Sequence, residues 1–306
     1  QLMKTAGDNI TYQIQSQLFG GKVEGRNKGI GNEGRVDFYT DGVTIDNVRY
    51  LVKFENVSMS QKRVYWDVLQ AGRRELQRKA KYDLEDTITQ KMTDTSIGRV
   101  RGRYLYGAAD SNWNATPATA LTGVDAPNDM LTTATLDILK RKAVIPVNAT
   151  TKVRPMRVKA GKAYEEWFCS AHHTYCIRDL ITSDAAWRNR ELNLTARGDQ
   201  SVLYTGSSFK GAWNGQLVYE WDRLPLLSST IQVAHSLFFG AQALALAWGQ
   251  RSKFGEEWTD VHHDVTYESH EIRGLKKIVW NRNAVDAAIA NEDNGIVNGF
   301  FAAVAD

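Results

Sequence analysis

The stretch GGKVEGRNKGIGNEG, Gly20 to Gly34, decides how the rest of the chain is read. It holds six glycines and no proline, which is the composition of a loop. Before it, Ile10-Thr-Tyr-Gln-Ile14 alternates in the period-two manner of a strand and runs on to Leu18-Phe19. After it, a second strand is predicted from Val36 through Phe38, Val43, Ile45 and Val48. The segment therefore reads as a long hairpin with a glycine-rich tip. Nine extended residues reach ~30 Å, and a two-stranded ribbon alone is marginal in water, so a later segment or another subunit must cover it.

The tip contains Gly29-Ile-Gly-Asn-Glu-Gly34, a literal GxGxxG that with Val36 also fits the kinase form GxGxxGxV, with Lys53 as its strand lysine. A dinucleotide site needs these glycines to open a helix whose N-terminus receives the pyrophosphate, and here a strand follows. For a kinase, Arg178-Asp179-Leu180 resembles the catalytic loop, but Ile177 replaces the His, Asp184 replaces the Asn, and no Asp-Phe-Gly follows. The motif is read as a hairpin tip.

From Ser60 to about Thr93 the pattern turns helical. Val64, Val68, Gly72, Leu76, Ala80, Leu84, Ile88 and Met92 recur every four residues, with Leu69 widening the stripe. Ser58 or Ser60 is the expected cap. Roughly 33 residues make a rod of roughly 50 Å, far longer than the usual three-turn helix, and a repeat of four makes its buried stripe spiral. This is a spine.

A loop-rich passage over 98–129 follows, and then a helix opened by Asp129 or Thr132-Thr133 through Leu136, Leu139 and Ala143. Strands are expected at Lys152–Val158, Trp167–Ala171 and Leu217–Trp221, with a short helix from Ala185 to Glu191. Val233, Leu237, Ala241, Leu244 and Trp248 form one face of a helix ended by Gly249. The run Val265 to Trp280 reads as strand, turn and strand around Gly274. The fold class is α+β.

With 306 residues the chain is long enough for about two domains and a large core. Its 38 Lys+Arg against 35 Asp+Glu give a net charge of only +3, which argues against a dedicated nucleic-acid binder. Composition excludes disorder, collagen and a disulfide scaffold. Cys169 and Cys176 fit neither a zinc ribbon nor a CxxC pair and are read as free thiols. No stretch approaches the ~18 consecutive apolar residues of a membrane span, because His235, Ser236, Gly240 and Gln242 interrupt the most apolar tract.

Two chemical readings compete with a structural role. His172, His262 and Asp264 form the best candidate metal site, since Asp260, His262 and Asp264 share one strand face, but nothing in the sequence brings His172 to them. That set would serve a soluble metal-dependent or nucleotide-using enzyme. Residues 140–162 carry eight Lys/Arg and no acid, which suits phosphate contact, although a solvated helix end helped by its dipole explains Lys140, Arg141 and Lys142 as well.

The remaining signal lies in short motifs kept in order. They are Gly7-Asp-Asn-Ile-Thr-Tyr12, Gly20-Gly21, Gly31-Asn-Glu33, Phe38-Tyr39, Val43-Thr-Ile-Asp46 and Arg49. Later come Arg178-Asp-Leu180, Trp213-Asn-Gly215, Phe239-Gly-Ala-Gln-Ala243 and Glu257-Trp258 with Asp264. With the layout of hairpin, spine, mixed body and returning strands, this set resembles the major capsid proteins of tailed bacteriophages, the Hong Kong 97 fold, in the branch typified by coliphage N-four.

The resemblance implies an N-terminal arm at 1–8 and an extended E-loop at 9–52 lying over a neighbouring subunit. It implies a peripheral domain with the spine helix at 53–110 and 256–283, and an axial domain at 111–255 and 284–306. It further implies hexamers and pentamers of an icosahedral shell in the virion, made in the bacterial host cytoplasm. The implied partners are scaffolding protein, portal, a decoration protein and packaged double-stranded DNA held without sequence preference, and no membrane. No catalytic residue, cofactor or metal is implied. The residues expected to contact a neighbour are Lys22, Arg26, Lys28 and Glu33 at the E-loop tip. Near-neutrality agrees with this, because many like-charged copies would repel one another.

Overall fold

A computed structural model describes residues 7–15, 21–34, 36, 38–63, 67–145, 147, 151–160, 163–193, 208–259, 263–280 and 291–303. The chain opens with β1 (Asn9–Gln15), β2 (Phe38–Thr44), β3 (Asp46–Phe54), α1 (Val57–Arg63) and α2 (Val68–Thr93). It continues through β4 (Tyr104–Tyr106), α3 (Pro117–Thr122), α4 (Thr133–Val144), β5 (Met156–Ala160), β6 (Ala163–His172), α5 (Thr174–Ser183) and α6 (Ala185–Asn193). Then come β7 (Phe209–Trp213), β8 (Gln216–Glu220), β9 (Leu226–Ser228), β10 (Gln232–Phe239), β11 (Leu244–Thr259) and β12 (Asp264–Lys277). The last are β13 (Val279–Trp280), β14 (Glu292–Asp293) and β15 (Ile296–Ala302). This is an α+β protein, and no described helix is long and apolar enough to cross a membrane. The chain divides into one unit of Gln1–Gln13, Thr40–Lys91 and Ala245–Lys276, and another of Ile14–Tyr39, Met92–Leu244 and Lys277–Asp306.

The second unit is built on a sheet of order β4-β15-β10-β6-β8-β7, with β5 added to β6 and β9 to β10. β4 runs parallel to β15 and β6 parallel to β8; β10 pairs antiparallel with both β15 and β6. All seven residues of β15 are buried. Leu136 and Leu139 of α4, Leu180 of α5, Phe238 and Phe301 share one core. The α4 start is fixed as the sequence suggests: the Thr132 hydroxyl accepts from the Thr135 amide, and the Thr135 hydroxyl donates back to Thr132. Asp129 does not cap this helix; its carboxylate accepts from the Ala108 and Asp125 amides in the preceding loop.

The helix expected over Val233–Trp248 is instead β10 and the start of β11. A strand buried on both faces is apolar throughout, and within such a run a spacing of four marks one strand face as well as one helix face. Gly240 ends β10 where a Cβ would lie 2.1 Å from the Arg154 carbonyl oxygen.

In the first unit β11, β12 and β3 form a sheet in that order. β12 and β3 are antiparallel, from Val265 opposite Phe54 to Arg273 opposite Asp46. The predicted stripe of α2 packs on it: Leu76 meets Tyr50, Val265 and Tyr267, with Leu69 and Ala80 alongside. The single long helix is corrected to α1 and α2. Asp67 starts α2 by accepting from the Leu69 and Gln70 amides at 2.9 and 3.1 Å, whereas the Ser60 hydroxyl turns back to the Glu55 carbonyl. At 1.5 Å per residue the 26 residues of α2 span ~39 Å.

Two strand expectations are also corrected. The run from Val36 to Val48 is two strands that part at Ile45, β2 pairing with β1 and β3 with β12. Gly274 makes no turn and lies inside β12, where a Cβ would sit 2.1 Å from the Thr44 carbonyl oxygen. It is needed for close approach of the two backbones. Gly274→Ala is therefore expected to destabilise the chain by about 1–3 kcal/mol in urea unfolding, as overpacking does. Gly255→Ala, at a position with open space around it, should leave the midpoint unchanged.

Candidate assembly surfaces

The hairpin is held at its base by specific polar contacts. The Ile45 amide donates to the Asp8 carbonyl at 2.8 Å, closing the strand pair. Tyr12 Oη and Lys276 Nζ donate to the two oxygens of Asp41 at 2.9 and 2.6 Å, tying the ribbon to β12. Burial pushes the Asp41 carboxyl up, but hydrogen bonds from Lys276, the Gly42 amide and Tyr12 outweigh it and hold the group below its ordinary value. Part of the cover demanded by a lone ribbon is thus supplied by the chain itself.

The tip has no such cover. Residues 21–33 are all exposed, and Ile30 is 89% exposed. Gly21, at φ +80, closes the neck of the loop, where a Cβ would lie 2.9 Å from the Gly34 amide. The loop is ordered by its own contacts: the Asn32 amide donates to the Gly29 carbonyl, and Asn32 Nδ2 to the Lys28 carbonyl. The four expected contact residues divide in two. Lys22 pairs with Glu24, and Glu33 accepts from the Gly31 amide at 2.8 Å. The side chains of Arg26 and Lys28 have no polar partner among the described residues. What is offered outward is therefore two free cations followed by an exposed isoleucine.

The described members of the candidate metal set fall in different units. His172 is buried in β6, its ring nitrogens have no hydrogen-bond partner among the described residues, and burial pushes its pKa down to about 3. Asp264 belongs to the other unit, where it accepts from the Asn56 amide and pairs with Lys53, both at 3.1 Å. His262 lies outside the described residues. No cluster of three metal-ligating side chains occurs among the described residues.

Four of the eight cations of the basic stretch are engaged. Lys140 donates to Asn214, Lys142 pairs with Asp110, Arg154 donates to the Gln15 carbonyl and Arg157 pairs with Glu166. The kinase-like Arg178 and Asp179 pair with each other on α5. Both cysteines are free and buried, and burial pushes their thiols up to about 11 and 12, away from the reactive thiolate.

Sequence reading missed a buried charged network. The chain passes between its units five times, and the second-unit residues beside three of these crossings, after Lys91, Leu244 and Lys276, are bonded together. Lys277 donates to the Asp94 and Ile97 carbonyls and pairs with Asp293 at 2.9 Å. The Ile278 amide donates to the Ala243 carbonyl, and Asn294 Nδ2 to the Gln242 carbonyl. Asn298 Nδ2 donates to Asp293 at 3.1 Å. Thr151 donates to Glu292 through both its amide and its hydroxyl, while Arg103 donates to Thr151. Lys277, Asp293, Glu292 and Arg103 are all buried. Nothing in the local sequence marks them, since Arg103 follows Arg99 and Arg101, Lys277 follows Lys276, and Glu292-Asp293 lies between two asparagines.

A family profile described as phage capsid protein matches residues 1–299. No curated protein matches the chain. Among solved structures, the capsid asymmetric unit of cyanophage Pam1 is similar over 100% of this chain and 87% of that one, at TM-score 0.77 and 24% identity. The capsid of Ralstonia phage GP4 is similar over 99% and 86%, at TM-score 0.79 and 21% identity. The head of Helicobacter pylori bacteriophage KHP40 is similar over 96% and 85%, at TM-score 0.69 and 14% identity. At these identities the likeness is one of fold, the Hong Kong 97-like fold of tailed-phage capsids.

Proposed function

This chain belongs to the phage capsid protein family, and from that premise we propose that it is the major head protein of a tailed double-stranded DNA phage, acting by assembly and not by catalysis. Copies of the chain build an icosahedral shell, which is its place in the virion. Closed shells form when each subunit presents heterologous contacts whose angles close, and many weak contacts per subunit multiply into a stable whole.

The observation that carries the reading is the hairpin tip, exposed throughout 21–33, with Ile30 and the unpaired Arg26 and Lys28 among its residues. On this proposal residues 9–52 are the E-loop, with β3 also serving the peripheral sheet through β12. Residues 53–110 and 256–283 are the peripheral domain, and 111–255 and 284–306 the axial domain that gathers into hexamers and pentamers. The ordered motifs support placement in the branch typified by coliphage N-four. The other partners proposed are scaffolding protein, portal, a decoration protein and packaged DNA, with assembly in the host cytoplasm.

Charge reversal at Lys22, Arg26, Lys28 and Glu33 together tests the tip. The variant is expected to keep the unfolding midpoint of the parent, because residues 21–33 are exposed, and to give no closed shells in electron micrographs. Normal shells would remove these residues from the interface.

A further inference from the structure

β11 is an edge strand: β12 takes one flank of its backbone, and the other is left without a strand partner among the described residues. Residues 251–259 are exposed in unbroken succession. Edge strands are commonly blunted by shortness, a bulge, a proline or charge; this strand has 16 residues and no proline, and carries only charge. Side chains alternate across it. The face toward α2 carries Phe254, 54% exposed, Glu256 paired with Arg73, and Trp258, 37% exposed. The opposite face carries Lys253, Gly255 and Glu257. Lys253 and Glu257 are both exposed and have no ion-pair partner among the described residues.

We propose that this edge pairs antiparallel with the same edge of a second copy about a two-fold axis at Gly255, joining two three-stranded sheets into one. The proposal rests on the shell reading, which supplies the second copy. The charge order selects the register. Centred on Gly255, each Lys253 stands opposite the other copy's Glu257, so two ion pairs form and both lone charges are matched. Centred on Glu256, two acids oppose each other. Centred on Phe254, Arg251 meets Glu257 but Lys253 faces a glycine and stays unmatched. Gly255 brings no side chain to the axis, and the pairing satisfies the open amides and carbonyls of the edge.

Cysteine cross-linking reads the register directly. Directly opposed residues in an antiparallel pair have Cα atoms about 4.5–5.5 Å apart, within the roughly 4.4–6.8 Å that a disulfide spans. A Cβ at Gly255 meets nothing within 4 Å, so Gly255→Cys is tolerated, and the native cysteines are buried. Shells of Gly255→Cys treated with oxidised glutathione are expected to shift from monomer to dimer on a non-reducing gel. Lys253→Cys shells should stay monomeric, since the two copies of that position lie about 13 Å apart along the strands. Lys253→Cys/Glu257→Cys should give dimers again. Lys253→Glu should lower shell yield, and Lys253→Glu/Glu257→Lys should restore it.

Monomeric Gly255→Cys in intact shells overturns the pairing while leaving the shell reading in place, and is also the result if the edge carries a strand of a different protein. Cross-linking of Lys253→Cys alone overturns the register. If the parent chain forms no shells, the shell reading fails, and oxidation of concentrated soluble Gly255→Cys still decides: dimers support the pairing, monomers overturn it.

Discussion

Lys277→Met should cost the folded chain on the order of 3–5 kcal/mol, the penalty of leaving a buried charge without its partner. The ammonium has three acceptors in the folded chain: the Asp293 carboxylate and the Asp94 and Ile97 carbonyls. Methionine fills similar space and supplies no donor, so all three acceptors lose their bond in a place water does not reach. Burial already pushes the Asp293 carboxyl up to about 6 against the pull of Lys277, so without Lys277 it should take up a proton at neutral pH. Removing both charges is a different case. Lys277→Met/Asp293→Leu should recover much of the loss, because a buried pair exchanged for packed apolar groups is often neutral. Urea unfolding of the two singles and the double gives the coupling energy directly. Equal stability of parent and Lys277→Met would show that Lys277 is not the tie between these segments. The site matters beyond its energy, because the residues bonded there adjoin three of the five points at which the chain passes from one unit to the other.

What the sequence disclosed, and what it hid, follows from which periodicities survive burial. The four-residue stripe through Gly72, Leu76, Ala80 and Ile88 was legible because α2 has one buried side and one wet side. The hairpin was legible because its glycines cluster at one place. β10 and β15 were misread or overlooked for the opposite reason: in Val233–Phe239 and Ile296–Ala302 nearly every residue is buried, so no polar face marks the period. Asp67 was passed over as a cap because the apolar repeat runs through Val64 and hides the break between α1 and α2. At the tip, Lys22, Arg26, Lys28 and Glu33 were singled out by charge alone. Which of them are spent locally depends on loop geometry, and the pairing of Lys22 with Glu24 and of Glu33 with the Gly31 amide leaves Arg26 and Lys28 as the free ones. β11 is hidden only at its start, where the spacing through Leu244 and Trp248 predicts the end of a helix.

Acid should unfold this chain through two histidines that play no part in its surface. Burial pushes His172 down to about 3 and His235 down to about 4, the latter against the hydrogen bond with Asn298. A histidine whose folded pKa lies below its unfolded value of about 6.5 binds its proton more readily when unfolded. The stability it contributes is therefore present above pH 6.5 and lost as pH falls toward the folded pKa. Asp293 acts in the reverse sense: its pKa is raised, so its protonation favours the folded state as pH falls through about 6 and offsets part of the loss. By pH 4 each histidine should have removed on the order of 3 kcal/mol, with Asp293 returning a similar single share. Midpoints of urea unfolding between pH 8 and pH 4 should thus fall steadily on the acid side. His172→Leu removes one titrating group whose nitrogens have no partner to lose. It should flatten that fall by up to about 1.4 kcal/mol per pH unit, one proton's worth, while costing little at pH 8. An unchanged acid slope in His172→Leu would mean that the ring is reached by water or already protonated in the folded chain, and that acid lability must be sought among the carboxylates that hold the hairpin base, Asp41 first.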